Sequence, residues 1–415
     1  METGRRYSGR GMRPGPLALI SVLSAVIGAA VALSLGAALD WVGPSRTETV
    51  FSEAPGFTLT EEREPAPRSV AQPLEGTGFE PAQIYGARAE GVVTIFAFFP
   101  NAESPGGQGS GFVVSDDGYV LTAAHVITTA GPTVEPGDVS PAREVFVGFR
   151  DGDRVPARIV GWDVFDDVAL LKVDAARHAV APVPLGDSSQ VLVGEPVAAI
   201  GSPFGAENSL ATGIVSATGR TIPTLTSRYS IVDAIQIDAP INRGNSGGPL
   251  FDARGRVIGI NAQIRSTSGL SEGVGFAVPI NSAKRSMEDL IAHGKVSYAY
   301  IGVTTNDLWP ALSRELELEV DRGAFLVDIV AGGPAAKAGL RGASRTVTFQ
   351  GQDVRVGGDV VVAVNGRRID DGSDLVRSVT NELRPGAEAV FTVLRDGRRV
   401  DVPLEPEERP SAPPG

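Results

Sequence analysis

A serine hydroxyl attacks a carbonyl only when a neighbouring base takes its proton and hydrogen-bond donors await the oxyanion. Ser246 lies in Asn242-Arg-Gly-Asn-Ser-Gly-Gly-Pro-Leu250, where flanking glycines leave its approach open. Glycine adopts φ > 0 without steric cost, so such a loop can turn backbone N–H groups inward. The expected donors are the N–H groups of Gly244 and Ser246. A glycine-rich loop without chemistry is the plainer reading of these letters alone. They also fit the G-x-S-x-G elbow, which sits between a strand and a helix and is followed by its histidine. Here Pro249 and a strand hairpin follow, and the later histidine, His293, ends a helix, so the elbow fails on both counts.

The sequence holds 3 histidines, which leaves few bases to choose from. His293 precedes Gly294 at a helix end, where an imidazolium favours the helix dipole. His178 falls in a loop expected to be exposed. His125 ends the run Tyr119-Val-Leu-Thr-Ala-Ala, among small residues that leave room for a substrate. A lone histidine is commonly structural, but by elimination His125 is the best candidate. A base of this kind needs a buried carboxylate to fix its tautomer. Asp163, Asp166 and Asp167 precede the apolar strand Val168-Ala-Leu-Leu-Lys-Val173. The first two read equally well as turn residues; Asp167, last before the strand, is best placed. The chain order His125, Asp167, Ser246 is that of chymotrypsin-like proteases.

These residues need a scaffold, and 51 Gly and 30 Pro in 415 residues fit many turns between short strands. Phe112–Val114 with Tyr119–Thr122, Val145–Phe149 with Arg154–Val160, and Leu250–Phe251 with Val257–Ile260 read as hairpins. Their spacing indicates an all-β barrel or sandwich. A helix follows, with Asn281 expected as N-cap and Gly294 past its end. A second unit, expected over 298–406, carries strands at Ala324–Val330 and Asp359–Asn365, a helix capped by Ser373, and a last hairpin at Val390–Pro403. The segment Arg341–Gly358 has no assigned role, and 407–415 is expected to be a disordered tail.

The uncharged run Leu17–Leu39 is long enough to cross a bilayer. Arg5, Arg6, Arg10 and Arg13 precede it, so the positive-inside rule puts segment 1–16 in the cytoplasm and the rest outside. A cleaved signal peptide is the alternative, but its apolar core would be shorter. Residues 40–83, rich in Pro, Glu, Ser and Thr, read as a flexible linker to a domain spanning 84–295. A net charge of −12 argues against nucleic acid as a partner, and the absence of cysteine removes thiol catalysis and zinc–thiolate sites. With so few histidines no metal or cofactor is expected.

Gly109-Ser-Gly-Phe112, Thr122-Ala-Ala-His-Val126, Asp167-Val-Ala-Leu-Leu171, Gly201-Ser-Pro-Phe-Gly205 and Asp238–Leu250 together resemble the HtrA/Deg-type serine proteases. The resemblance covers nearly all of Ile84 to Pro406. It implies a chymotrypsin-like double β-barrel, a small α+β PDZ domain and an N-terminal transmembrane helix. It assigns His125 as base, Asp167 as orienting acid and Ser246 as nucleophile, with Gly244 and Asn245 in the oxyanion loop. It further implies that Ile241 and Ile264 line the substrate pocket, favouring a small aliphatic residue there; Arg265 departs from the apolar residue expected beside Ile264. In the PDZ domain, Tyr300-Ile301-Gly302-Val303 would receive a peptide carboxylate. Leu375 and Val379 would face the groove, with core packing as the alternative. The implied partners are unfolded or mislocalised envelope proteins and peptide C-termini, and the single-PDZ branch suggests a homotrimer.

Overall fold

The computed structural model describes residues 78–100, 106–131, 138–202, 209–227, 229–242, 244–264 and 273–410. These fall within one compact unit. Leu17–Leu39 and most of the linker lie outside the described residues. Among the described residues no helix is long and apolar enough to cross a membrane.

A short helix, α1 (Pro81–Arg88), opens the fold. Six strands follow: β1 (Val92–Phe98), β2 (Gly107–Val113), β3 (Tyr119–Thr122), β4 (Glu144–Gly148), β5 (Arg154–Asp163) and β6 (Val168–Val173). They close a barrel in the order β1-β2-β3-β6-β5-β4. One turn of helix, α2 (Ala124–Ile127), leaves the end of β3. A second barrel is built from β7 (Pro196–Gly201), β8 (Ser209–Pro223), β9 (Ser230–Ile237), β10 (Pro249–Phe251), β11 (Val257–Ile264) and β12 (Gly275–Pro279). It closes in the order β10-β11-β12-β9-β8-β7. The expected all-β double barrel is therefore the architecture found.

The two-residue period of a strand explains how one chain fills several cores. In β6, Ala169, Leu171 and Val173 pack inside the first barrel, whereas Val168 and Leu170 join a layer that also holds Ile200, Phe251 and Ile260 of the second. In β7, Val197 and Ala199 fill the second barrel, and Ala198 and Ile200 face that shared layer. The two barrels thus bury a common apolar sheet between them.

Helix α3 (Ile280–His293) packs on this layer through Ile280, Ala283 and Leu290 and ends at Gly294, φ +71°. It starts two residues earlier than expected, with Pro279 rather than Asn281 at the N-cap position. Asn281 is not its cap; its amide donates instead to Asp187 Oδ1 at 2.7 Å.

The C-terminal domain holds β13 (Ala299–Tyr300), β14 (Val303–Leu308), α4 (Pro310–Glu315), β15 (Gly323–Ile329) and α5 (Pro334–Lys337). Next come β16 (Arg345–Phe349), β17 (Gln352–Val356), β18 (Val360–Val364), β19 (Arg367–Arg368) and α6 (Gly372–Glu382). The domain ends with β20 (Ala389–Arg395), β21 (Arg398–Leu404) and β22 (Glu407–Glu408). The main sheet runs β14-β15-β18-β20-β21, leaving β14 at an edge beside α6. The cap of α6 is Asp371, whose carboxylate accepts the Asp374 N–H at 2.8 Å; Ser373 lies inside the first turn. The unassigned segment forms the hairpin β16–β17, which buries Val354 and Val356 against Leu308, Leu312 and Phe325.

The expectation of a disordered tail is corrected for 407–410; residues 411–415 lie outside the described residues. Glu407 and Glu408 pair with Tyr300 and Ala299, because β13 has a free edge there and Lys295, Ser297 and Lys337 meet the two carboxylates.

Candidate active site

The base stands where β3 ends. Thr122 Oγ1 donates to Ser110 O at 2.7 Å, anchoring the strand end, and α2 then lifts His125 to the cleft. Asp167 meets it from the turn before β6. His125 Nδ1 lies 2.7 Å from Asp167 Oδ2, and the His125 backbone N–H donates to Oδ1 at 2.9 Å. The Ala124 N–H reaches the Asp167 carbonyl at 3.2 Å. A carboxylate can only accept, so Nδ1 carries the hydrogen and Nε2 keeps its lone pair for a substrate proton.

The Asp167 side chain is 1% exposed and that of His125 22%, so the pair has a sealed end and an open end. Burial is the largest influence on the imidazole and works against its charge. The Asp167 charge and hydrogen bond oppose it, and the net effect raises the His125 pKa above its ordinary value. Asp167 itself sits at φ +55°, the left-handed region that a branched-free L-residue enters only at a cost of roughly 1–2 kcal/mol. Such strain persists where neighbours over-determine the position.

The serine turn is pinned between both barrels. Ser110 N–H donates to Ser246 O at 2.8 Å, Gly247 N–H to Asn261 O at 2.7 Å, and Asn261 N–H to Gly248 O at 2.9 Å. Gly247 has φ +82°, and a Cβ there would run into the Ser110 carbonyl and the Thr122 hydroxyl. Only glycine fits this close approach, which brings the serine turn against the Ala123–Val126 stretch that carries His125. The Ser246 hydroxyl donates to Ala262 O at 3.1 Å; among the described residues this is its hydrogen bond, and His125 is not its partner.

Gly244 has φ +105°. Neither its N–H nor that of Ser246 donates to an acceptor among the described residues. The Asn245 N–H is engaged, donating to Asn242 O at 3.0 Å, and its side chain is buried with Oδ1 unpartnered. Ser110 is a residue that sequence reasoning passed over. Fully buried, it donates from Oγ to Gly244 O at 2.6 Å and accepts the Ser202 N–H at 2.9 Å, fixing the turn's carbonyl. Its place in Gly109-Ser-Gly-Phe112 was the signal available.

Of the pocket candidates, Ile241 is buried in the core of the second barrel, and Ile264 closes β11 opposite Gly275. Arg265 lies outside the described residues. His178 is not the exposed residue expected: its ring stacks on Phe149 at 3.8 Å and Nε2 meets Asp151 at 2.9 Å. His293 stands at the end of α3.

In the C-terminal domain, Tyr300 ends β13, Ile301 is buried, Gly302 has φ +74°, and Val303 begins the edge strand β14. The carbonyls of Ile301 and Gly302 accept from Ala335 and Val330 at 3.0 and 2.9 Å, while their N–H groups donate to nothing among the described residues. Leu375 and Val379 are both buried in this domain's core. No group of metal-ligating side chains occurs among the described residues.

Comparison with known proteins agrees with the two-domain fold. Residues 109–260 match the trypsin-like peptidase domain and residues 299–405 the PDZ domain. A probable periplasmic serine endoprotease DegP-like of Brucella suis is 40% identical over 303 residues, 73% of this chain and 53% of that protein. The chain thus spans about half the length of that relative. A protein of the same description from Pseudomonas putida is 37% identical over 384 residues, 88% of this chain and 73% of its own. Among solved structures, the HtrA-type protease AlgW with tripeptide superposes with a TM-score of 0.64 at 33% identity, covering 80% of this chain and 98% of the other. With matches this long on both domains, the chain belongs to the HtrA/DegP family of trypsin-like serine endoproteases that carry a PDZ domain.

Proposed function

We propose that this chain is a serine endopeptidase with His125 as general base, Asp167 as its orienting acid and Ser246 as nucleophile. The observation that carries the reading is the Asp167 carboxylate, buried and spent entirely on His125 through both oxygens. In the reaction, Ser246 Oγ leaves Ala262 O, gives its proton to His125 Nε2 and attacks the scissile carbonyl. The unengaged N–H groups of Gly244 and Ser246 receive the oxyanion. His125 then protonates the leaving amine, and water repeats the sequence on the acyl-enzyme. Asn245 shapes the oxyanion loop through its backbone, and Ile241 and Ile264 bound the pocket for the residue before the cleaved bond.

The substrates on this reading are unfolded or mislocalised proteins outside the cytoplasm. The periplasmic description of the relatives and the span Leu17–Leu39 as a membrane anchor support that location. The PDZ domain receives peptide C-termini at Tyr300–Val303, in line with the tripeptide named with the solved relative. Leu375 and Val379 support the groove from beneath rather than line it freely. A homotrimer completes the proposal, and sedimentation of the soluble part from Ile84 tests it. The activity test incubates that part with unfolded casein: cleavage that vanishes in Ser246→Ala is expected. Cleavage surviving the substitution would reject Ser246 as nucleophile. Casein binding without any cleavage would favour a chaperone or scaffold.

A further inference from the structure

The turn that ends in Asp167 is held by α3 and by Tyr298, which lies outside the protease domain. Asp163 Oδ1 accepts the N–H groups of Phe165 and Asp166 at 2.9 and 3.3 Å. Its Oδ2 meets Tyr298 Oη at 2.6 Å and Ser286 Oγ at 2.7 Å. Asp166 Oδ2 meets Tyr298 Oη and Arg285 Nη2, each at 2.9 Å. Both carboxylates are buried. Tyr298 meets both carboxylates at once, beside Ser286 and Arg285 of α3, and it stands directly before β13 of the PDZ domain.

Tyr298 is in turn held by the end of the chain. The Arg409 N–H donates to Tyr298 O at 2.7 Å, just after β22 pairs with β13. The Arg409 guanidinium lies 4.9 Å from the ring centre of Tyr298, 5.0 Å from that of Tyr229 and 5.3 Å from that of Phe165. Phe165 belongs to the Asp167 turn, Tyr229 to the second barrel. Arg409 Nη2 also donates to Thr380 Oγ1 of α6 at 2.9 Å, and Tyr229 Oη donates to Pro410 O at 3.1 Å. One planar cation thus meets the turn, the second barrel and the PDZ helix at once, a geometry that guanidinium supports in full and a compact ammonium only in part.

We propose that Glu407–Pro410 is an intramolecular clamp and that Arg409 is a positioning residue, holding Phe165 and Tyr298 so that Asp167 keeps its strained backbone and its register on His125. This rests on the reading of Asp167 as the orienting acid. It assigns a catalytic consequence to a tail that touches no reacting atom. A misplacement of the acid lowers the rate of the chemical step without weakening substrate binding.

The test compares the full chain with Arg409→Ala, Arg409→Lys and Thr380→Val, using Ser246→Ala as the blank. Casein cleavage gives kcat and KM, and amide hydrogen exchange is followed at Phe165–Val168. For Arg409→Ala we expect kcat to fall about tenfold with KM within about twofold, since small displacements near the chemistry are costly. Exchange at Phe165–Val168 should quicken, and Arg409→Lys should recover part of both. Wild-type values of kcat and exchange in Arg409→Ala would overturn the clamp, as would a raised KM at unchanged kcat. If Arg409→Ala does not fold, Thr380→Val and Arg409→Lys decide by the same readouts. Absence of cleavage by the wild type would count against the endopeptidase reading; the exchange arm then decides the clamp, which unchanged protection would overturn.

Discussion

The two halves of the candidate site are prepared to different degrees. On the first barrel, the base and its acid are locked: both Asp167 oxygens are engaged and the carboxylate is sealed from solvent. On the second, the serine turn is rigid in its backbone but uncommitted in its donors. The Ser246 hydroxyl points at Ala262 O, and the Gly244 and Ser246 N–H groups have no acceptor among the described residues. Preorganisation is thus complete where charge must be held throughout. It is left open where a substrate must supply the partner.

Substitutions on each side should break this comparison in different ways. The largest effect is expected for Ser246→Ala, which should lower kcat by on the order of 10⁶-fold while leaving the melting temperature nearly unchanged. Burst titration with an acylating ester checks it, since no burst should remain. Asp167→Asn keeps the shape but offers an amide to Nδ1, favouring the wrong tautomer; kcat should fall by roughly 10⁴-fold. The pH profile sharpens the point. The general base must be neutral, so kcat/KM should drop as pH falls through the raised His125 pKa, and this acid limb should move to lower pH in Asp167→Asn. The stability that the imidazolium draws from Asp167 has the opposite dependence: it is present at low pH and lost as pH rises through the folded pKa.

Gly247→Ala tests the rigid backbone of the serine side. It forces a Cβ at φ +82° into the Ser110 carbonyl, and a loss of about 2–4 kcal/mol by urea unfolding is expected. The smallest effect concerns the acid side. Burial, then the Asp166 charge, push the Asp163 carboxyl up to about 6 against the hydrogen bonds from Tyr298, Ser286 and Phe165. A carboxyl raised in this way costs stability while ionised and returns it as pH falls through about 6. The melting-temperature difference between Asp163→Asn and wild type should therefore shift in the variant's favour as pH rises from 5 to 8, on top of a constant loss from the Tyr298 and Ser286 hydrogen bonds.

Legibility in the sequence followed the range of the physics. His125 was singled out among three histidines by the small residues around it, and in the fold it is the one that lies on Asp167. The hairpins were readable because turn residues and period-two apolar runs are local signals. Asp163 and Asp166, read as turn residues, do make the turn, but their burial against Tyr298 depends on residues some 130 positions away and has no local trace. For Ser110 the motif Gly109-Ser-Gly-Phe112 is a local signal, but its bond to Gly244 O, 134 positions away, is not. Asp371 rather than the expected Ser373 caps α6: both residue types are good caps, and only the Asp374 N–H decides between them. Arg409 sits in a stretch of Glu and Pro without periodicity, so only a neighbour's free strand edge orders it.

One feature of the barrels also governs how the molecule comes apart. Strand β6 begins one residue after Asp167, and its side chains alternate between the first barrel's interior and the layer shared with the second. Neither barrel can melt without stripping apolar partners from the other. Calorimetry should accordingly register the two as a single cooperative transition, with catalytic geometry disappearing in the same step rather than ahead of it.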